Sequence, residues 1–309
     1  MSVLLLTMPQ PPALFADLLR AALPGVPVWE AAEQVAPEAV EAIIAWRLKP
    51  GTAGRFPNLR LICATAAGVE KIIDDPALPP AVAVMRTVDP LVNLGMAQYV
   101  LLMALRHIRA LPLFEAQQRD GAWTRHRPPD PYSITAGVLG LGEAGRTVAA
   151  LLHAAGFNVI GWSRTSKSVR DVETVEGAEG LASCLARSSV LVCTLPLTAE
   201  TRGILDRRAL RRLPQGAYVI NVARGGHLVE ADLLELLAAG HLAGAALDVQ
   251  ETEPLPPDSP LWRQPGLTIT PHIAAQASAA SVVTQFAANW RRLRAGQPLH
   301  NIIERSRGY

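Results

Sequence analysis

Three polar residues stand where apolar runs of this 309-residue chain give out: Arg224 after AYVINVA, Glu253 just past AALDV, and His272 after LTITP. Their types suit one task. A guanidinium grips a carboxylate through two parallel hydrogen bonds. An imidazole titrates near neutrality and can protonate a developing alkoxide. A carboxylate beside that imidazole raises its pKa and orients the ring. Together they could reduce a 2-oxo acid to the 2-hydroxy acid, with hydride from a nicotinamide. Singly, each has an ordinary reading. Lysine occurs only at Lys49, Lys71 and Lys167, so arginine is the common base here, and His107, His126, His153, His227, His241 and His300 read as loop histidines. The weight lies in the joint placement, because ligands of open α/β sheets bind beyond the carboxyl ends of the strands.

A second constellation supplies the cofactor. Gly140, Leu141, Gly142, Glu143, Ala144 and Gly145 form a GxGxxG between the apolar run ITAGVL and the helical pattern RTVAALLHAAG. The first glycine permits a tight turn, the second admits a pyrophosphate to the backbone, and the third lets helix and strand pack closely. The phosphates then rest on free amides at the helix N-terminus. Sites selective for NADH carry an acid about 20 residues past this motif. Here the place reads Trp162, Ser163, Arg164, Thr165, Ser166, Lys167, with no carboxylate before Asp171. Arg164 can pair with a 2′-phosphate, and Ser163, Thr165 and Lys167 can add donors, so NADPH is preferred and NADH stays open. A solvated surface arginine is the alternative for Arg164.

The elements that must position these residues are legible as periodicity. Residues 2–7, 26–29, 42–46, 59–63 and 82–85 read as buried strands separated by helical patterns. One apolar helix runs from Asn93 to about Arg119, with Pro112 as a kink, and residues 121–131 form a proline-rich connector. A second series follows at 134–142, 157–163, 188–196, 216–224, 242–249 and 266–272, and one helix closes it over 274–296. Strands alternating with helices predict parallel sheets. The expectation is an α/β chain of two Rossmann-like or flavodoxin-like domains with the active site in the cleft between them. Residues 1–98 plus 277–309 make a discontinuous substrate-binding domain, and 99–276 make the dinucleotide-binding domain.

Composition narrows the partners. Half of the residues are hydrophobic, 18% are charged and the net charge is +2, so no basic footprint for nucleic acid is present. The N-terminal MSVLLLTMPQPP has only a short apolar run without a basic flank, and no later stretch reads as an uninterrupted span, which predicts a cytoplasmic protein without a membrane partner. Cys63, Cys184 and Cys193 lack CxxC spacing, which predicts buried thiols in a reducing compartment and no metal site.

The segments ATAAGVEKI (64–72), VLGLGEAGRTVA (138–149), LPLTAETRGIL (195–205), INVARGGHLVEADLL (220–234), LDVQETEPLPPDSPLW (247–262) and ITPHIAAQ (269–276) carry a resemblance. In order and spacing the chain resembles the D-isomer-specific 2-hydroxyacid dehydrogenases, most closely their glyoxylate/hydroxypyruvate reductase A branch. The resemblance implies that Arg224 binds the substrate and polarises its carbonyl, that Glu253 partners His272, and that His272 is the acid/base. It implies that Ala67 and Gly68 offer amides to the substrate carboxylate. It also implies that Asp248 holds the nicotinamide carboxamide, and that Leu195, Pro196, Val222 and Ala223 border the cofactor. Trp46 matches an aromatic of the substrate pocket, and a core tryptophan is its other reading. Gln98, where the family often has glutamate, and Gln250, in place of an aromatic or aliphatic residue, depart from the pattern. The long helix from Asn93, apolar on more than one face, implies a homodimer. Related dehydrogenases of phosphoglycerate, formate, phosphite or arylpyruvates, or a non-catalytic dinucleotide sensor, are the competing functions.

Overall fold

The computed structural model describes residues 2–66 and 68–304. The chain divides into two compact units, one running to Val92 and resuming at Gln276, the other spanning Asn93–Ala275.

The first unit begins with β1 (Ser2–Leu6), α1 (Pro12–Ala22), β2 (Val28–Trp29), β3 (Val40–Ala45), β4 (Leu61–Ala64), α2 (Glu70–Ile73) and β5 (Ala83–Met85). All strands pair in parallel in the order β2-β1-β3-β4-β5. This is the flavodoxin-like order. Val3, Leu5, Ala42, Ile44, Leu61 and Cys63 face one core, while Leu4, Ile43, Ala45, Ile62 and Ala64 face another. Burial on both faces explains why these strands read as continuous apolar runs.

Where one helix was expected from Asn93 to about Arg119, the chain forms α3 (Pro90–Ile108) and α4 (Leu111–Arg119). Ala110 between them has a left-handed φ of 51°. Pro112 falls in the first turn of α4, where a missing N–H costs nothing, so it starts a helix and does not kink one. α3 is also the one helix among the described residues long and apolar enough, by length and composition, to cross a membrane, against the expectation of no such stretch. Its Ala97, Val100, Met103 and Ala104 pack into the core of the second unit. The division between the two units falls in the first turn of this helix, between Val92 and Asn93.

The second unit continues with β6 (Thr135–Leu139), α5 (Glu143–Ala154), β7 (Asn158–Ser163), β8 (Glu173–Glu176), α6 (Gly177–Arg187), β9 (Val190–Cys193), α7 (Arg207–Leu210), β10 (Ala217–Asn221), α8 (Glu230–Ala238), β11 (Leu242–Leu247) and β12 (Leu267–Ile269). The order is β12-β11-β10-β9-β6-β7-β8, parallel throughout. Six strands were expected here and seven form. The seventh, β8, is a short polar edge strand, ETVE, which carries no apolar run to announce it. The order reverses between β6 and β9, the switch point where doubly wound sheets bind dinucleotides. The closing helix α9 (Ala279–Arg294) belongs to the first unit and is capped by Ser278, whose hydroxyl accepts from the Ser281 amide.

Candidate active site

Parallel pairing puts the loops after β6, β7, β9, β10, β11 and β12 on one edge of the second unit. After β6 the chain turns at Gly140, with φ of 98°, into α5. A Cβ on Gly145 would lie 1.9 Å from the Gly140 carbonyl oxygen, so only glycine lets helix and turn meet. The Thr194 hydroxyl, from the end of β9, donates to the Leu139 and Gly140 carbonyls and pins the turn. A Cβ on Gly142 would meet nothing within 4 Å, and no side chain caps the helix there. The first-turn amides of α5 thus face open space beside a backbone that a phosphate can approach, which fits a dinucleotide. Leu141 is buried against Gly161 of β7, whereas Glu143 is exposed and Ala144 half-buried.

At the end of β7, Ser163 is buried and its hydroxyl donates to the Thr165 carbonyl at 2.8 Å. Thr165 and Lys167 are exposed. Arg164 is exposed as well and pairs with Glu200 at 3.1 Å, an acid from the loop after β9 that the sequence reading did not single out. Leu195 is buried beside exposed Pro196.

Arg224 leaves β10 through a turn built by buried Asn221, whose amide nitrogen donates to the Arg224 carbonyl at 2.9 Å. Val222 and Ala223 are buried in that turn. His227, in the same loop, is fully buried: its Nδ1 lies 3.0 Å from the Arg224 carbonyl oxygen and its Nε2 lies 3.2 Å from that of Pro196. It ties the loop after β9 to the loop after β10. A Cβ on Gly225 would come within 1.9 Å of the Gln250 carbonyl carbon, so the loops after β10 and β11 touch backbone to backbone. Gln250 is buried, and its side chain donates to the Leu247 carbonyl at 3.0 Å.

Glu253 and His272 do come together. Nδ1 of His272 lies 3.1 and 3.2 Å from the two Glu253 carboxylate oxygens, with both side chains mostly buried. His272 adopts φ of 57°, a left-handed conformation that costs a side-chain-bearing residue about 1–2 kcal/mol. Asp248, buried at the end of β11, offsets that strain. Its carbonyl accepts from the His272 amide at 2.9 Å, and its carboxylate accepts from the Ile273 and Ala274 amides at 2.8 Å each.

In the first unit, Trp46 follows β3, half-buried under the Arg47 guanidinium 5.1 Å from its ring centre, and Gly68 follows β4. Ala67 lies outside the described residues. Gln98 is exposed on α3.

Residues 101–274 match the NAD binding domain of the D-isomer specific 2-hydroxyacid dehydrogenases. The chain belongs to that family. A glyoxylate/hydroxypyruvate reductase A of Serratia proteamaculans is 40% identical over 274 residues, covering 86% of this chain and 87% of the relative. The same-named protein of Yersinia enterocolitica is 38% identical over 257 residues, or 82% of each chain. Among solved structures, a family member from Xanthobacter autotrophicus in complex with NADPH and MES superposes with a TM-score of 0.91 at 40% identity, over 100% of this chain and 99% of that one. An NADPH-dependent glyoxylate/hydroxypyruvate reductase of Sinorhizobium meliloti, in complex with NADP and sulfate, gives a TM-score of 0.92 at 33% identity and full coverage of both chains. The enzyme is thus an oxidoreductase of two Rossmann-like domains.

Two glycines of this edge separate packing from binding. Gly225→Ala should lower Tm by several degrees, as overpacking costs about 1–3 kcal/mol. Gly142→Ala should leave Tm unchanged and weaken dinucleotide binding. Calorimetry and fluorescence titration of both variants check this, and a Gly225→Ala protein of unaltered Tm would refute the contact.

Proposed function

We propose that the enzyme is an NADPH-preferring reductase of a small 2-oxo acid, glyoxylate or hydroxypyruvate, yielding the 2-hydroxy acid. The observation that carries this reading is the Glu253–His272 pair at 3.1 Å, set on the same sheet edge as the glycine turn. A carboxylate only accepts hydrogen bonds, so Nδ1 of His272 carries the hydrogen that Glu253 receives. The proton given to the substrate oxygen then comes from Nε2. Arg224 holds the substrate carboxylate and polarises the adjacent carbonyl. The nicotinamide, when bound, supplies the hydride. Asp248 retains lone pairs for the carboxamide of that ring beside the amides it already holds, and Leu195, Pro196, Val222 and Ala223 line its approach. The choice of glyoxylate or hydroxypyruvate rests on the names of the relatives and on the small acid such a residue set handles.

Arg164 supports the cofactor preference. A 2′-phosphate carries more charge than one carboxylate and offers more acceptor oxygens, so it displaces Glu200 from the guanidinium. We further infer a homodimer through α3. Leu94, Leu102 and Leu105 are exposed on that helix, an apolar face suited to a second copy, and Trp123 in the connector is 92% exposed. The three free, buried cysteines fit a reducing, cytoplasmic setting.

The decisive measurement is turnover of a panel of 2-oxo acids. His272→Ala should lower kcat by about a hundredfold or more, as loss of a general acid does, with cofactor affinity unchanged. Arg224→Lys should lower kcat/KM for glyoxylate at least about tenfold, because an ammonium lacks the planar two-point grip. Wild-type kcat in the histidine variant would end the reading. For the cofactor, Arg164→Asp should reverse the NADPH preference by repelling the phosphate and offering the NADH ribose an acceptor. Equal kcat/KM for both cofactors in the wild type would refute the role of Arg164. Sedimentation equilibrium should give twice the chain mass, and Leu102→Glu should halve it.

A further inference from the structure

The His272 turn is held by more than Asp248. Thr270, at the end of β12, donates from its hydroxyl to the Asp248 carboxylate at 2.6 Å. The Tyr99 hydroxyl, on α3, lies 2.7 Å from the same Thr270 oxygen. Proton accounting fixes the direction of this chain. Thr270 has one hydroxyl hydrogen and spends it on the carboxylate, so its oxygen can only accept from Tyr99. The order is Tyr99 to Thr270 to Asp248, with the Ile273 and Ala274 amides donating to the same carboxylate. Burial pushes the Tyr99 phenol up to about 12, which keeps it a neutral donor at any working pH. The chain leaves His272 between two clamped points: the Thr270 carbonyl accepts from the His272 amide at 3.0 Å on one side, and the carboxylate holds residues 273 and 274 on the other.

We propose that Tyr99 and Thr270 are positioning residues for the proton donor, fixing the His272 turn in its left-handed form through Asp248. Their role runs through Asp248 and His272 and not through the substrate. The idea rests on His272 being the donor. Its mechanism is the aim of Nε2: a turn free to relax out of φ 57° carries the imidazole off line with the oxygen it must protonate. Displacements of about 1 Å in such a group cost up to a hundredfold in rate. α3, whose buried stripe is anchored in the core, serves as the fixed post for this arrangement.

Steady-state kinetics, NADPH fluorescence titration and amide hydrogen exchange on the whole enzyme test it. Tyr99→Phe and Thr270→Val should each lower kcat about tenfold, while the Kd for NADPH stays within about twofold. Thr270→Ser, which keeps the hydroxyl, should restore the rate. The double variant Tyr99→Phe/Thr270→Val should be no slower than either single one. The amides of 272–274 should exchange faster in Tyr99→Phe, with those of β10 and β11 unchanged. In a His272→Ala background, Tyr99→Phe should cost nothing further. A wild-type kcat in Tyr99→Phe beside a crippled His272→Ala overturns this proposal alone. So does an equal loss from Tyr99→Phe with and without the histidine, which would show the chain acting elsewhere. Wild-type kcat in His272→Ala overturns the donor assignment and takes this proposal with it.

Discussion

Parallel pairing governs the second unit. Seven strands running the same way leave every strand-to-helix turn on one edge and every return on the other. The proposed site therefore needs no long-range device to assemble: the glycine turn, the Arg224 turn and the Glu253 and His272 loops arrive at one edge because the strands before them do. What the sheet cannot supply is precision within that edge. Side chains at or just beneath it do this work, and each reaches from one loop to the next. Thr194 holds the glycine turn, His227 joins the loops after β9 and β10, and Asp248 joins the end of β11 to the turn after β12.

The sequence exposed the parts of this design that have a period or a motif. Strands buried on both faces appear as apolar runs, and the GxGxxG announces itself through three glycines with different duties. Arg224, Glu253 and His272, the residues proposed for the chemistry, stand out because each follows such a run. Other features carried no such mark. β8 is four residues with a glutamate at each end, stabilised by its place at the sheet edge rather than by its own composition. The break between α3 and α4 depends on Ala110 taking a left-handed conformation, which nothing in LRHIRALPLF dictates beyond the proline. His227 looks like any other histidine until the fold brings Pro196 to it, 31 residues away. Tyr99 and Thr270 lie 171 residues apart, and their hydrogen bond exists only once α3 has packed on the sheet. Local patterns reveal periodicity, whereas the fine positioning of the site is made of distant pairs.

Charge is handled in two ways on the same edge. Glu253 and Asp248 are shielded, and their partners are fixed by geometry, so these contacts persist in salt and set shape. Arg164 and Glu200 stand in solvent, where a pair is worth little and is readily exchanged. The first kind of contact suits groups that must be aimed before the substrate arrives. The second suits a surface that must change partners each time a charged molecule comes and goes.

The missing Cβ at Gly225 has a consequence for how such an enzyme can diversify. Because the turn after β10 lies directly on the backbone at Gln250, neither loop can be lengthened, shortened or re-angled without carrying the other along. The arginine turn and the glutamate loop are heritable as one part. Variation that respects this linkage must arise in segments that do not lean on a neighbour's main chain, and an engineer who grafts one of these loops from a relative should transplant both.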